Sequence, residues 1–145
     1  MIVAVATAKR DLATEAWALA LELVFANRER FMAAAHELKL PPMQAHTLRL
    51  LERPRSMSEL AEQLQCDASN VTGIVDRLEA RGFVERIDEP GDRRVKKLRL
   101  TAGGAAARAR FLALMHEPPP AVEGLACEDL RTLRDVLRRA LAKPQ

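Results

Sequence analysis

The feature that most constrains this fold is a pair of short amphipathic segments separated by a tight turn. The first begins at Ser56, three residues before Glu59, which is the spacing of a capping box. The second has Asp67 as its N-cap candidate and Gly82 as its stop. Their apolar residues recur at helical spacing and are Leu60, Ala61, Leu64, Val71, Ile74, Val75 and Leu78. The two segments therefore predict a helix-turn-helix motif.

A short β-hairpin is predicted directly after these helices. Residues 83–87 are rich in β-forming side chains, and residues 95–100 alternate with Leu98 and Leu100 on one face. Residues 89–92 have the composition of a turn. Because an isolated hairpin is only marginally stable, this one must pack against the preceding helices, as a wing does.

Helical segments flank this core on both sides. From about residue 11 to residue 36, two overlapping apolar series predict one helix with two apolar faces. One face would cover the rest of the chain and the other a second subunit, whereas a single central core helix is the alternative. Further helices are expected over residues 43–52, over residues 102–116 after the cap Thr101, and through Leu130, Leu133, Leu137 and Leu141.

The order of these elements predicts a mainly α fold with a small two-stranded β wing. Residues 1–145 would form one domain, with dimerisation helices in 1–37 and 103–145 and a winged helix-turn-helix in 38–102. Cys66 and Cys127 form no disulfide or metal-ligand pattern, which suits a reducing cytosol. The N-terminal apolar run is too short to span a bilayer and precedes its basic residues, the reverse of a signal peptide, so a cytoplasmic protein without a membrane segment is expected.

The exposed face of the second helix carries small polar side chains. If its apolar stripe is buried, the opposite face holds Ser69, Thr72, Gly73, Asp76 and Arg77. Ser69, Asn70 and Thr72 would place hydroxyl and amide groups near base edges in a major groove. Arg77, further along, could reach a guanine or a phosphate. The alternative is that Ser69 and Asn70 only support the helix start and that Arg77 is a solvated charge.

Basic residues are concentrated around the hairpin. Residues 77–110 include ten basic and five acidic side chains, an excess of five, whereas the whole chain has a net charge of +3. Arg93 and Arg94 lie beside the turn, where guanidinium groups can enter a narrow minor groove, and Lys96 adds a charge to the same strand. Asp92 is expected to hold the Arg94 side chain through a charge-assisted pair. An ordinary exposed ion pair, worth about 0 to 1 kcal/mol, is the alternative.

Several of these elements, in this order, resemble the MarR family of bacterial regulators. They are Leu60-Ala61-Glu62-Gln63-Leu64, Asp67-Ala68-Ser69-Asn70-Val71-Thr72, Val75-Asp76-Arg77-Leu78-Glu79, Arg81-Gly82, Val84-Glu85-Arg86, Asp92-Arg93-Arg94 and Leu100-Thr101, within residues 38–104. The resemblance implies a homodimer with interlocked terminal helices, recognition helices that read a palindrome in double-stranded DNA, and a wing whose Arg enters the minor groove. Those roles would fall on Ser69, Asn70, Thr72 and Arg77 and, in the wing, on Asp92 and Arg94.

One position departs from the family pattern. Where the family often carries Arg directly after the Thr of the recognition helix, this chain has Gly73. Glycine removes a DNA contact and weakens the helix by up to ~1 kcal/mol. Either the affinity for DNA is then lower or other residues make the missing DNA contacts.

The resemblance also implies a regulatory signal. Family members commonly respond to small aromatic or phenolic ligands held between the dimer helices and the winged domain, and some respond to cysteine oxidation or zinc; the sequence selects none of these. Cys66 lies in the turn between the two helices, where a lone Cys is more often a packing residue. No metal or other cofactor is expected, since the candidate ligands show no close spacing; they are His36, Glu37, His46, His116 and Glu117.

These observations favour a DNA-binding regulator over two alternatives. No catalytic constellation is visible, so neither an enzyme nor a catalytic residue is predicted. A protein-interaction module would use the same fold to meet an acidic partner, and a small-molecule carrier would use the cleft between helices. A protein partner does not specifically require the polar first turn or the Asp92 and Arg94 wing. Together with the family resemblance, these observations predict a ligand-responsive repressor that binds a palindromic operator as a homodimer.

Overall fold

The computed structural model describes residues 2–142, apart from the side chains of residues 2–4 and of Arg93. In chain order its elements are α1 (Ile2–Ala26), α2 (Arg28–Glu37), α3 (Pro42–Leu50), β1 (Arg55–Ser56), α4 (Met57–Leu64), α5 (Ala68–Ala80), β2 (Val84–Glu89), β3 (Asp92–Leu100), α6 (Ala102–His116), α7 (Pro120–Glu123) and α8 (Cys127–Leu141). They fall into two compact units, Met1–Met115 and His116–Gln145. The predicted class, mainly α with a small β sheet, is confirmed.

The core of the larger unit is formed by the apolar stripes of the helix-turn-helix. Leu60, Val71, Val75 and Leu78 are fully buried there, as the periodicity predicts. The other fully buried large side chains include Leu48, Val84, Leu98 and Phe111. Since α4 and α5 contribute so much of this core, their relative orientation is fixed by packing as well as by the turn.

Local caps fix the ends of α4 and α5. The Ser56 hydroxyl accepts from the Glu59 N–H at 3.2 Å and the Glu59 carboxylate accepts from the Ser56 N–H at 2.7 Å, which confirms the capping box. The second bond lowers the pKa of Glu59. Asp67 caps α5 by accepting from the Asn70 N–H at 2.9 Å, which lowers the pKa of Asp67. Gly82 lies just after α5 with a φ of 72°, a left-handed conformation that stops the helix.

The predicted hairpin is β2 and β3, but the sheet has a third strand. Glu89 pairs with Asp92 around the turn residues Pro90 and Gly91, and Gly91 has a φ of 90° that suits a glycine. The two-residue strand β1 pairs antiparallel with β3, opposite Leu98 and Lys97. The predicted two-stranded wing is confirmed, and β1 is an additional strand that was not predicted, because two residues are too few to show a period of two.

The single N-terminal helix expected over residues 11–36 is two helices, α1 and α2. They separate at Asn27, whose side-chain Nδ2 donates to the Leu23 carbonyl at 2.7 Å. That carbonyl is the one that the Asn27 N–H would take in a continuous helix, and the N–H bonds Val24 instead, at 3.2 Å. The apolar pattern continues across the break, so periodicity alone does not show it. Met1 lies outside the described residues.

Helix α6 begins against the end of the helix-turn-helix. The Thr101 hydroxyl accepts from the Gly104 N–H at 3.0 Å, as expected for a cap, and donates to the Gly82 carbonyl at 2.6 Å. Gly104 is buried against backbone: a Cβ at this position would lie 1.8 Å from the Phe83 carbonyl oxygen. The start of α6 is thus held close to the segment that joins α5 to β2.

The smaller unit consists of α7 and α8. Helix α8 is amphipathic, with acidic Glu128 and Asp129 in its first turn and basic Arg138 and Arg139 in its last, which complements the helix dipole. Its predicted apolar series is only partly covered, since Leu137 and Leu141 are exposed. The short helix α7 was not expected; it follows the prolines that end α6.

Candidate nucleic-acid interface

The first turn of α5 is exposed and mostly engaged in its own cap. The Ser69 hydroxyl donates to the Asp67 carboxylate at 2.7 Å, and the Thr72 hydroxyl donates to the Ala68 carbonyl at 2.8 Å. Both hydroxyl oxygens keep lone pairs that can accept from a base or a water. Within the described part of the chain, the Asn70 side chain has no hydrogen-bond partner. Asn70 is therefore the polar side chain of this turn with its full donor and acceptor capacity free.

A groove runs along the exposed side of α5. Its volume is about 540 Å³, and it is lined by residues of α5 and by the start of α3. Ser69, Gly73 and Arg77 of the predicted outward face line this groove. Asn70 lines it too, whereas Thr72 and Asp76 do not. The half-buried Cys66 lines it as well. The glycine leaves an open position between Asn70 and Arg77, since a Cβ there would have no neighbour within 4 Å.

In the wing, Asp92 bonds the backbone of Arg94 and not its guanidinium as expected. The Asp92 carboxylate accepts from the Arg94 backbone N–H at 3.0 Å, and the expected pair with the Arg94 guanidinium is absent from the described residues. That expectation was wrong because the short Asp side chain reaches the N–H two residues on more easily than a distant guanidinium. Asp92 thus shapes the turn. The predicted contact of the Arg93 side chain lies outside the described residues.

Most cations of the strands are already paired with carboxylates. Arg99 bonds Glu85 at 2.6 Å. Lys96 pairs with Asp88 and Lys97 with Glu89. These carboxylates are already counted in the excess of five, so the pairs leave the net charge unchanged but occupy three of the cations. Lys96, a predicted DNA contact, would have to exchange Asp88 for a phosphate.

The recognition helix is also tied to the wing. Arg86 of β2 bonds Asp76 at 2.6 Å and also pairs with Glu79, so its single positive charge offsets one of these two negative charges of α5. Arg77 and Arg94, in contrast, are exposed and have no ion pair among the described side chains. These two arginines are consequently the cations best placed to meet a polyanion without breaking a pair.

Sequence reasoning missed two residues that shape this surface. Arg81 donates to the carbonyls of Lys39 and Leu38, at 2.6 and 3.2 Å, and lies over the Phe83 ring. These bonds connect the loop before α3 to the end of α5, although the two are more than 40 residues apart in the sequence. Gln44 is buried, and the only available sequence signal was a polar residue four positions before the buried Leu48.

An apolar cavity of about 710 Å³ lies where α1 meets α2. Its lining is Val24, Phe25, Asn27, Arg28, Glu29, Phe31, Met32 and Met115. Phe31 packs edge to face on buried Phe111, with 5.4 Å between ring centroids. A cavity of this size with an aromatic and thioether lining is typical of sites for small apolar ligands.

Replacing Gly73 by alanine is expected to stabilise the protein. Gly73 has room for a Cβ and its backbone is helical, so alanine lowers the entropy of the unfolded chain without a clash. We expect the free energy of unfolding to rise by about 0.5 to 1 kcal/mol, measured by urea denaturation. Gly82→Ala is the matched control, because it also has open space but a φ of 72°, and it should destabilise. A loss of stability in Gly73→Ala would contradict this reasoning.

Two short helices, a following hairpin and an exposed polar helix face define this chain as a winged helix-turn-helix protein. The MarR family profile matches residues 40–96. The HTH-type transcriptional repressor MdtR of Bacillus subtilis is 32% identical in an alignment of 113 positions that covers 68% of this chain and 73% of MdtR. The chain belongs to the MarR family.

Other relatives agree with this assignment. The transcriptional regulator PrsX of Escherichia coli is 34% identical over 86 residues, which cover 59% of this chain and 52% of PrsX. The multiple antibiotic resistance protein MarR of E. coli is 32% identical over 85 residues, covering 57% and 59%. The chain thus spans about half the length of these curated relatives. PrsX and MdtR are named as transcriptional regulators, and MarR as a multiple antibiotic resistance protein.

Solved structures share the fold. The transcriptional regulator Tm0710 of Thermotoga maritima matches with a TM-score of 0.72 and 25% identity over 90% of this chain and 99% of its own. A point mutant of S. aureus MepR bound to an oligodeoxyribonucleotide matches with a TM-score of 0.63 and 21% identity over 85% and 93%. The described helices include none that is long and apolar enough to cross a membrane.

Proposed function

We propose that this chain is a cytoplasmic, ligand-responsive repressor that binds a palindromic operator in double-stranded DNA as a homodimer. The observation that carries the proposal is the exposed polar face of α5 beside a wing whose Arg94 has no ion pair among the described side chains. Ser69, Asn70 and Thr72 would contact base edges in the major groove, where the first turn of a recognition helix usually lies. Arg77 would contact the backbone, and Arg94, with Arg93, would enter the minor groove from the turn that Asp92 shapes.

The proposed dimer is supported by the exposure of α1. From Val5 to Ala26 every side chain of α1 is exposed except the half-buried Leu21. Leu12, Trp17 and Val24 each keep about two thirds of their surface exposed. A helix that is apolar on two faces and barely covered by its own chain needs a partner, and a second copy supplies the same surface by two-fold symmetry.

The proposed effector is supported by the cavity between α1 and α2. Its apolar lining fits a small aromatic or phenolic molecule, the class that the family resemblance implies. Because α1 is also the proposed dimer helix, a ligand in this cavity would be placed to change how two recognition helices are spaced. Half-sites one helical turn apart tolerate little change in that spacing.

Selection of duplex DNA from a random pool, followed by sequencing, tests the proposal. We expect an enriched palindrome whose affinity falls steeply with salt, because phosphate contacts release counterions. Arg94→Ala should weaken binding to that site by about 1 to 3 kcal/mol, the range for loss of a good groove contact. Arg131→Ala, which removes an exposed arginine of α8, is the matched control and should bind like the original protein. Absence of an enriched site would favour a protein-interaction module instead.

A further inference from the structure

Gln44 is a buried amide with an unused acceptor. It lies in the first turn of α3 and only 4% of its surface is exposed. Its Oε1 is fully buried and has no hydrogen-bond partner among the described residues. Leaving a buried acceptor unpaired costs free energy, so this oxygen calls for a donor, from an ordered water or from a nearby group that moves.

The surroundings of Gln44 are strongly basic. It lines a cavity of about 560 Å³ together with Lys39, Pro41, Arg77, Ala80 and Arg81. Arg81 is committed, since its two terminal nitrogens donate to the Lys39 and Leu38 carbonyls. Among the described lining side chains, Lys39 and Arg77 are therefore the cations whose side-chain nitrogens have no hydrogen bond or ion pair.

Arg77 connects this cavity to the surface that would face DNA. It lines both the cavity of Gln44 and the groove that contains Ser69, Asn70 and Gly73. Its guanidinium has five N–H donors in a planar fork, so it can donate to an amide oxygen on one side and to a phosphate on the other. The ammonium of Lys39 is a compact group on a flexible stem without such a fork.

We propose that Gln44 is a positioning residue for Arg77. When the protein lies on duplex DNA, the Arg77 guanidinium donates one N–H to Gln44 Oε1 and directs its remaining donors to a backbone phosphate. The buried acceptor is then satisfied, and the arginine loses side-chain freedom in the geometry that the phosphate requires. This inference rests on the proposed DNA-binding function. A more rigid phosphate contact by Arg77 would also compensate for the DNA contact that is lost because this chain has Gly73 where the family often has Arg.

The test measures binding to a fixed duplex of arbitrary sequence at several salt concentrations, because a phosphate contact does not depend on sequence. Gln44→Met removes the acceptor while keeping an unbranched side chain of similar volume. We expect it to unfold at the same temperature as the original protein or higher, and to bind DNA about 3- to 10-fold more weakly, the fold-change for one hydrogen bond. Gln63→Met, at an exposed position of α4, is the matched control and should leave binding unchanged.

A double-mutant cycle separates positioning from independent contacts. In an Arg77→Ala background, Gln44→Met should cost no further affinity, whereas in a Lys39→Ala background it should cost the full factor. An equal loss in the Arg77→Ala background, coupling to Lys39 instead, or unchanged binding by Gln44→Met would overturn the inference. If the original protein itself does not bind the duplex, the proposed function fails first.

A second variant tests the geometry without DNA. Gln44→Glu places a carboxylate where the acceptor now lies, and if Arg77 reaches this position the two will pair. Removing the arginine with Arg77→Ala should then lower the unfolding temperature by at least about 4 °C more in the Gln44→Glu protein than in the original. Equal shifts in the two proteins would show that Arg77 does not reach Gln44 and would overturn the inference.

Discussion

Gly104→Ala is expected to destabilise the protein by about 3 kcal/mol or more, at the upper end of the range for overpacking a core. The added Cβ would lie 1.8 Å from the Phe83 carbonyl oxygen and 2.7 Å from the Phe83 carbonyl carbon. These are backbone atoms held by the start of β2, so they cannot move aside as a flexible side chain would. Urea denaturation followed by circular dichroism measures the effect.

The neighbouring glycine provides the control for this prediction. A Cβ on Gly103 would lie 3.7 Å from the Gly82 carbonyl oxygen, which is ordinary van der Waals contact. Gly103→Ala should therefore be neutral or slightly stabilising, in the same helix turn and with the same change of side chain. Similar stabilities of the two variants would show that α6 is not packed against Phe83 as described.

Charging one stripe of α1 is expected to abolish the proposed dimer. Leu12→Lys combined with Leu19→Lys changes two exposed leucines on the same side of the helix. Each protomer would lose the burial of two leucines, about 1.5 to 3 kcal/mol each, so the dissociation constant should rise by at least about a thousandfold. Light scattering at micromolar concentration should give twice the 16.1 kDa of one chain for the original protein and a single chain for the variant.

Thr14→Lys combined with Ala18→Lys is the matched control, because both positions lie about 100° or more around α1 from Leu12 and Leu19. It adds the same charge to exposed positions of α1. We expect this variant to keep the mass of the original protein. A monomeric original protein, or dimers in both variants, would contradict the role given to the Leu12 stripe.

The parts of the fold that the sequence predicts well are those decided by near neighbours. A capping box joins residues three apart, so Ser56 and Glu59 identify the start of α4 without knowledge of the rest of the chain. Likewise, the apolar stripe of α5 follows from its period, and the turn at Pro90 and Gly91 follows from their backbone preferences. The exposed polar face of the recognition helix is the complement of that stripe.

The failures have a common physical origin. Periodicity cannot detect the hydrogen bond from the Asn27 side chain to the Leu23 carbonyl, which separates α1 from α2. It also cannot detect a strand of only two residues such as β1. The sequence also shows how many charged residues lie near the wing, but it does not show which of them form ion pairs with one another. In the structure the register of β2 and β3 places Lys96 opposite Asp88 and Arg99 opposite Glu85, and this pairing leaves Arg94 as a free cation among the described side chains.

The sequence by itself determined the winged helix-turn-helix and the residues on its outward face, because caps, turns and periods act over three to four residues. Three features were decided only by the tertiary structure. Gln44 Oε1 is buried without a hydrogen-bond partner among the described residues, and Arg81 donates to the Leu38 and Lys39 carbonyls. Arg77 lines two cavities. Those features depend on contacts between residues more than 30 positions apart. Such contacts exist only after the helices pack, since the loss of chain entropy is then offset by burial of the common core.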